Sequence, residues 1–222
     1  MLQDSITHPH REEDEEAFER KMQGIRAEIL LFGATFKAAK ETGKNLNLED
    51  IRGTEVNLVE SSLLNDENNE DKEKMISLYS AAREGFSEEH FALRLQGFKD
   101  LLASKEGRFY ILKHNQEIVA FVHFKDLPNG NVYGGSFSVM SDVKGERLGD
   151  ALLRTALDTE NAHKDVEAVV DSGDEKLLRY YRDTLGHQLT GETVMVGSTK
   201  YLKMIRTARL SMQTPKSPRL AA

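Results

Sequence analysis

The chain has 222 residues, 30 Lys and Arg against 37 Asp and Glu (formal net charge −7), 39% hydrophobic and 30% charged residues, and no cysteine. This fits one domain of about 100 to 200 residues with an appendage; it excludes disulfides, thiolate metal sites and cysteine nucleophiles and argues against nonspecific nucleic-acid binding, which needs an excess of cations. No apolar run approaches the ~18 residues of a membrane span, and Met1-Leu2-Gln3-Asp4 opens no signal-peptide core, so a cytoplasmic chain is expected.

Residues 1–50 read as an N-terminal amphipathic helical extension. Phe18, Met22, Ile25, Ile29, Phe32 and Phe36 recur at alternating steps of four and three, so a helix over residues 12–42 carries one apolar seam. The seam either covers the chain's own domain or pairs with a second copy in a homodimer; Leu30 and Leu31 widen it beyond a strict two-helix stripe. The acidic runs over residues 11–16 and 65–71 read as solvated faces or linkers.

From residue 54 the pattern alternates between strands and helices. Residues 54–60 read as a strand, 73–83 and 87–103 as helices, the second capped by Ser87. Strands follow at 108–113, 117–124 and 131–140, the last two joined across Pro128-Asn129-Gly130 turn chemistry. A glycine loop leads into a helix ending near 163, then come a strand at 166–170, a helix at 174–185, and closing strands near 192–196 and 200–205. Residues 207–222, with Pro215 and Pro218, have no periodicity and read as a disordered tail.

The glycine loop is the most informative stretch. Gly145 and Gly149 stand between a strand and the repeat Leu148, Ala151, Leu152, Thr155, Ala156, which places them at a helix start. Unpartnered backbone N–H groups and the helix dipole make such a start a cradle for an anion. Seven histidines, at positions 8, 10, 90, 114, 123, 163 and 187, form no cluster with metal-ligand spacing, so no metal is expected.

Lys144-Gly145-Glu146-Arg147-Leu148-Gly149 resembles the Arg/Gln-x-x-Gly-x-Gly/Ala loop of the GNAT N-acetyltransferase superfamily, which cradles the pyrophosphate of acetyl-CoA. The valine-ending strand Ser136-Phe137-Ser138-Val139 before it, and Asp174 to Tyr181 followed by Leu185-Gly186-His187 after it, are similar to that family's flanking strand and its second motif. The resemblance spans about residues 54–206. Four residues depart from it: Arg147 replaces the middle glycine, Asp174 an asparagine, Leu177 an alanine and His187 a phenylalanine, and one extra residue separates Tyr181 from Gly186.

The resemblance implies an α/β fold with a mixed central sheet flanked by helices over residues 54–206, and an acetyl-CoA-dependent N-acyltransferase that moves the acetyl group directly to a small-molecule or peptide amine in a ternary complex. It places the donor against the backbone of Phe137, Ser138 and Val139, whose amides would hold its arm and polarise its carbonyl, against Lys144, Gly145, Glu146, Arg147, Leu148, Gly149 and Asp150, and near Asp174. Gly134-Gly135 fits a bulge that opens a slot for the donor's arm, or a site of close packing. Tyr181 shares an inward helix face with Leu177, Leu178 and Leu185, and is the candidate general acid, with Tyr180 as the alternative. No general base stands out; His123, Glu167 and Asp171 are the candidates. The other reading of the departures is a catalytically silent binding or regulatory module of the same fold, acting through its N-terminal helix.

The N-terminal seam generates one test, because six exposed apolar residues would form a patch too large for a soluble monomer. If the seam packs on its own domain, deleting residues 1–48 lowers the melting temperature at every protein concentration. If it joins two copies, the deletion converts a dimer to a monomer in light scattering.

Overall fold

The computed structural model describes residues 53–64, 69–82, 87–140 and 148–208, with Arg20, Gln23, Gly24, Ala27 and Leu48 before them. The six seam residues, residues 141–147 and the tail from 209 lie outside the described residues.

Seven strands form one mixed sheet: β1 (Thr54–Glu60), β2 (Arg108–His114), β3 (Glu117–Asp126), β4 (Val132–Val139), β5 (Val166–Asp171), β6 (Gln188–Val196) and β7 (Thr199–Arg206). Their order is β1-β2-β3-β4-β5-β7-β6. All neighbours are antiparallel except β4 and β5, which are parallel. Four helices are described: α1 (Glu70–Ala81), α2 (Glu88–Ala103), α3 (Leu148–Glu160) and α4 (Glu175–Arg179), which runs on into a wide turn over Tyr180–Thr184.

The central strands are apolar on both faces because both faces are covered. On one side Phe109 and Ile111 of β2 and Phe121 of β3 meet Met75, Leu78 and Tyr79 of α1 and Phe98 and Leu102 of α2. Tyr79 stacks on Phe98 at 4.3 Å and Phe98 on Phe121 at 5.2 Å. On the other side Leu112, Val122 and Phe124 pack under Leu152, Leu153, Ala156 and Leu157 of α3, and Leu48 joins this second core.

Local chemistry sets the helix starts. Ser87 caps α2 by accepting the His90 N–H at 3.3 Å, as its sequence implies. α1 starts at Glu70 rather than 73, because Asn69 accepts the Lys72 N–H at 3.1 Å. Glu70 and Asp71, taken from sequence as part of a solvated run, form the first turn and complement its dipole. β6 begins at Gln188 rather than 192, crossing a register shift between Leu189 and Thr193 near Gly191 (φ +86°), which conceals its first half in the sequence. Among the described residues no helix is long and apolar enough to cross a membrane.

A buried polar knot fixes the far end of α3. Arg108 Nε donates to Glu160 Oε1 at 2.7 Å and its terminal nitrogen grips the other oxygen, while the Tyr110 hydroxyl donates to Oε1 at 2.8 Å. Arg108 also reaches Asp126 at 3.1 Å, and Lys164 reaches Asp126 at 2.7 Å. Removing Glu160 takes the acceptor from the Tyr110 hydroxyl and leaves Arg108 with Asp126 alone, so Glu160→Ala is expected to cost about 1–3 kcal/mol in urea unfolding, and no change in the urea midpoint would show the knot to be dispensable.

Candidate active site

β4 and β5 pair only through Val132 with Val166 and Tyr133 with Glu167, and then separate. On the other side of β4 the register against β3 shifts between Val122 and Phe124, so Gly135 and Ser136 together oppose His123. An extra residue on one strand bends it and tightens its twist. A Cβ on Gly135 would stand 3.1 Å from His123 Nδ1 and 3.3 Å from the Tyr133 ring, so the bulge is packed tightly around this glycine. The result is a narrow cleft, with about 10 Å³ open to a water-sized molecule, floored by Gly134 and Gly135. Val122, Phe124, Leu153, Leu157, Val166 and Ala168 make its walls carbon, and Phe137, Tyr181 and His187 complete them.

The freed edge of β4 offers backbone groups to this cleft. Met140 N donates to Val119 O at 2.9 Å, so strand alternation turns Ser138 toward β3 and the N–H groups of Phe137 and Val139 toward the cleft. The structure therefore divides the trio proposed from sequence. Ser138 is buried, and its hydroxyl reaches back to Leu78 O at 3.4 Å on α1.

α3 begins at the same end. Leu148 is buried in the core. Gly149 is small for a packing reason: a Cβ there would lie 2.5 Å from Val139 Cγ2 and 2.7 Å from Phe137 Cζ, so the helix start rests directly on β4. The Asp150 carboxylate accepts Arg154 Nε at 2.9 Å and the Tyr180 hydroxyl. Asp174 caps α4 by accepting the Leu177 N–H at 2.9 Å. Lys144, Gly145, Glu146 and Arg147 lie outside the described residues.

The extra residue before Gly186 is absorbed in the wide turn. Leu185 N bonds Tyr180 O at 3.1 Å, five residues back instead of four, and His187 N bonds Tyr181 O at 3.0 Å. Such one-turn π-bulges insert a residue without breaking the helix. Two expectations about this helix change: Leu177 is 38% exposed rather than inward, and Tyr180 as well as Tyr181 packs on the core. The two tyrosines nevertheless differ. Tyr180 is tied to Asp150, whereas Tyr181 is half-buried against the cleft with its hydroxyl pushed up to about 12 by burial and then by Tyr133. Tyr181 is thus a neutral donor at neutral pH.

Of the base candidates, Glu167 is spent: it accepts from Asn129 at 2.9 Å and Asn131 at 2.6 Å and pairs with Lys203 at 3.0 Å. Burial works against its charge, yet these partners hold its carboxyl below the usual range. Asp171 accepts the Gly173 N–H at 2.8 Å in the turn before α4. His123 sits under the bulge with Nε2 at 3.3 Å from Glu106 O, and burial pushes its imidazole down to about 4. Among the described residues no group of three or more His, Asp or Glu is placed to hold a metal.

Sequence reasoning missed a polar group on the α1/α2 side. His90 Nε2 lies 2.9 Å from the Tyr201 hydroxyl, and Arg94 Nε donates to the Tyr79 hydroxyl at 3.4 Å. Tyr133, on β4 beside the bulge, is raised by burial, with Arg94, Tyr201 and Tyr79 near enough to act on it. His90 and Arg94 are four apart on one helix face, the one local signal of this group.

His123 and His187 make stability pH-dependent in one direction. Burial pushes His187, like His123, down to about 4, so below the unfolded value of about 6.5 the unfolded chain takes up protons that the folded chain refuses. Their contribution is complete above pH ~6.5 and falls toward pH ~4, by up to about 1.4 kcal/mol per pH unit for each ring. The urea midpoint is expected to drop between pH 7 and pH 5, with a shallower drop in His187→Phe; equal slopes would mean that His187 protonates freely in the fold.

A family model described as acetyltransferase (GNAT) family matches residues 72–187. Among solved structures, an acyl-CoA N-acyltransferase from Pseudomonas aeruginosa superposes with a TM-score of 0.53 at 15% identity, over 69% of this chain and 99% of that one. A protein from Pyrococcus horikoshii superposes at 0.51 with 18% identity, over 69% of this chain and 98% of its own. No curated protein matches. With a family model over more than half its length, the chain belongs to the GNAT acetyltransferase family.

Proposed function

We propose that the chain transfers an acetyl group from acetyl-CoA to an amine by direct attack in a ternary complex. The observation that carries this reading is the separation of β4 from β5 after Tyr133, which leaves an apolar slot between a β4 edge with no strand partner among the described residues and Tyr181. The N–H groups of Phe137 and Val139 bind the arm of the donor, and the start of α3, with Leu148 to Asp150 and residues 144–147 before it, takes the pyrophosphate.

Reaction follows from placement. Holding amine and thioester together is worth about 7–11 kcal/mol of barrier. The amine nitrogen bonds to the carbonyl carbon, the C–S bond breaks, and Tyr181 gives its proton to the departing sulfur. Burial raises the Tyr181 hydroxyl, so it stands protonated beside the cleft as a donor to the departing sulfur. The acceptor comes from the α1/α2 side, where Tyr133 stands beside the bulge and the Tyr201 hydroxyl lies 2.9 Å from His90 Nε2, and the amine's proton leaves to solvent on that side. The absence of cysteine leaves no thiol to carry the acyl group. The acceptor is a small-molecule or peptide amine.

Calorimetry with acetyl-CoA tests binding, and Gly145→Glu is the variant expected to abolish it. Gly149 is a poorer probe, since any side chain there strikes Val139 and Phe137. Tyr181→Phe is expected to lower kcat about 10²-fold or more with acetyl-CoA affinity nearly unchanged. Tyr180→Phe acts on affinity through Asp150 and leaves kcat. Full turnover in Tyr181→Phe, or a fall in melting temperature matching the fall in activity, would leave Tyr181 a core residue; no acetyl-CoA binding by the unaltered chain would favour the silent module.

A further inference from the structure

Besides the Tyr181 hydroxyl, one polar side chain is built into the wall of the cleft. His187 leaves the wide turn directly after Gly186 and is 1% exposed. Its ring meets the Tyr181 ring edge to face at 5.1 Å. Neither Nδ1 nor Nε2 has a hydrogen-bond partner among the described residues. The ring's nearest polar neighbour is the Tyr181 carbonyl, which accepts the His187 backbone N–H at 3.0 Å and favours a proton on the ring against burial and Arg206. The other walls are carbon, so the imidazole is the only side-chain N–H donor among the cleft-lining residues.

The position is one where the family pattern carries phenylalanine, a ring of similar size with no polar atom to satisfy. Burying an unpartnered imidazole in its place is unfavourable unless something in the cleft completes it. The ring is neutral at physiological pH, so one nitrogen carries a proton and the other a lone pair. Tyr181 cannot serve both oxygen and sulfur, because the proton it holds goes to the leaving group. A neutral imidazole N–H suits the oxygen, since it donates a hydrogen bond without giving its proton away.

We propose that His187 donates a hydrogen bond to the carbonyl oxygen of the acyl thioester in the cleft and stabilises the negative charge that gathers there as the amine attacks. This rests on the reading of the cleft as an acyl-CoA site. As the amine nitrogen bonds to the carbonyl carbon, the carbonyl π pair moves onto oxygen and is held by the imidazole N–H. When the pair returns, the C–S bond breaks, its electrons go to sulfur, and the Tyr181 proton follows. His187 is thus a catalytic residue that acts on oxygen while Tyr181 acts on sulfur.

The test uses the full chain and a CoA analogue whose thioester sulfur is replaced by methylene, a ketone that binds without reacting, labelled with carbon-13 at the carbonyl. The infrared stretch of the bound ketone is expected to lie lower in the unaltered protein than in His187→Phe, and to stay low in His187→Gln, which keeps a donor. With acetyl-CoA, His187→Phe is expected to lower kcat about 10²-fold with donor affinity within threefold, and His187→Gln to recover part of the loss. A stretch that is the same in the unaltered protein and in His187→Phe, both with ketone bound, overturns the role of His187 and leaves the proposed transfer standing. Failure of the ketone to bind the unaltered protein overturns the acyl-CoA reading itself, and this assignment with it.

Discussion

Two strands that begin as hydrogen-bonded neighbours and then part are the constraint on which the site depends. Backbone donors and acceptors inside a protein are nearly always paired, so a strand edge freed in the middle of a sheet has to be stabilised from elsewhere. β4 is held on its other side by β3, and β5 by β7 along its whole length from Val166 to Asp171. Each strand therefore keeps one full ladder while the two diverge. The bulge at Gly135 and Ser136 supplies the bend, with His123 of β3 packed against Gly135 where it bends.

The helices hold this opening from both faces. α1 and α2 build an aromatic stack beneath β2 and β3, and Ser138 ties β4 to Leu78 on α1. α3 is clamped at its end by Glu160 in the Arg108 knot and at its start by Gly149 against Phe137 and Val139. A helix fixed at both ends cannot slide toward the cleft it borders. The same burial that makes the cleft apolar keeps His123 and His187 neutral and Tyr181 protonated, so one low-dielectric environment sets all three charge states.

Much of this order is legible in the sequence, and the failures have identifiable causes. The strand positions of β1 to β5 follow from apolar runs bounded by turns, and the helix start at Leu148 follows from its repeat. The glycine pair 134–135 fits a bulge because two adjacent residues without side chains inside a strand weaken its packing and free its backbone to bend. The start of α1 is hidden because Asn69, Glu70 and Asp71 are at once turn residues, charged residues and good first-turn residues; charge alone reads as solvent. β6 is half hidden by Gly191, which reads as a break where the strand only shifts register. The α1/α2-side group leaves only the four-residue spacing of His90 and Arg94 in the sequence, since Tyr79, His90, Arg94, Tyr133 and Tyr201 come from four elements brought together by the fold. His187 is visible as a departure from the family pattern, but its two unpartnered nitrogens are visible only once the cleft is.

The start of α3 shows how the extra residue before Gly186 is put to use. A carboxylate in a first turn adds negative charge where a phosphate would be held, and Asp150 stands there. Left to itself, such a side chain would bend back and accept backbone N–H groups, competing with an anion for the donors that form the cradle. Instead its Oδ1 is claimed laterally by Arg154, four residues on, and by the Tyr180 hydroxyl. Arg154 offsets its charge, and the hydroxyl draws it toward α4. Tyr180 reaches Asp150 because the wide turn lets both tyrosines face inward, where a regular helix would turn one of them away. The one inserted residue therefore does two things at once: it leaves Tyr181 on the cleft, and it brings Tyr180 to hold aside the carboxylate that would otherwise occupy the helix start.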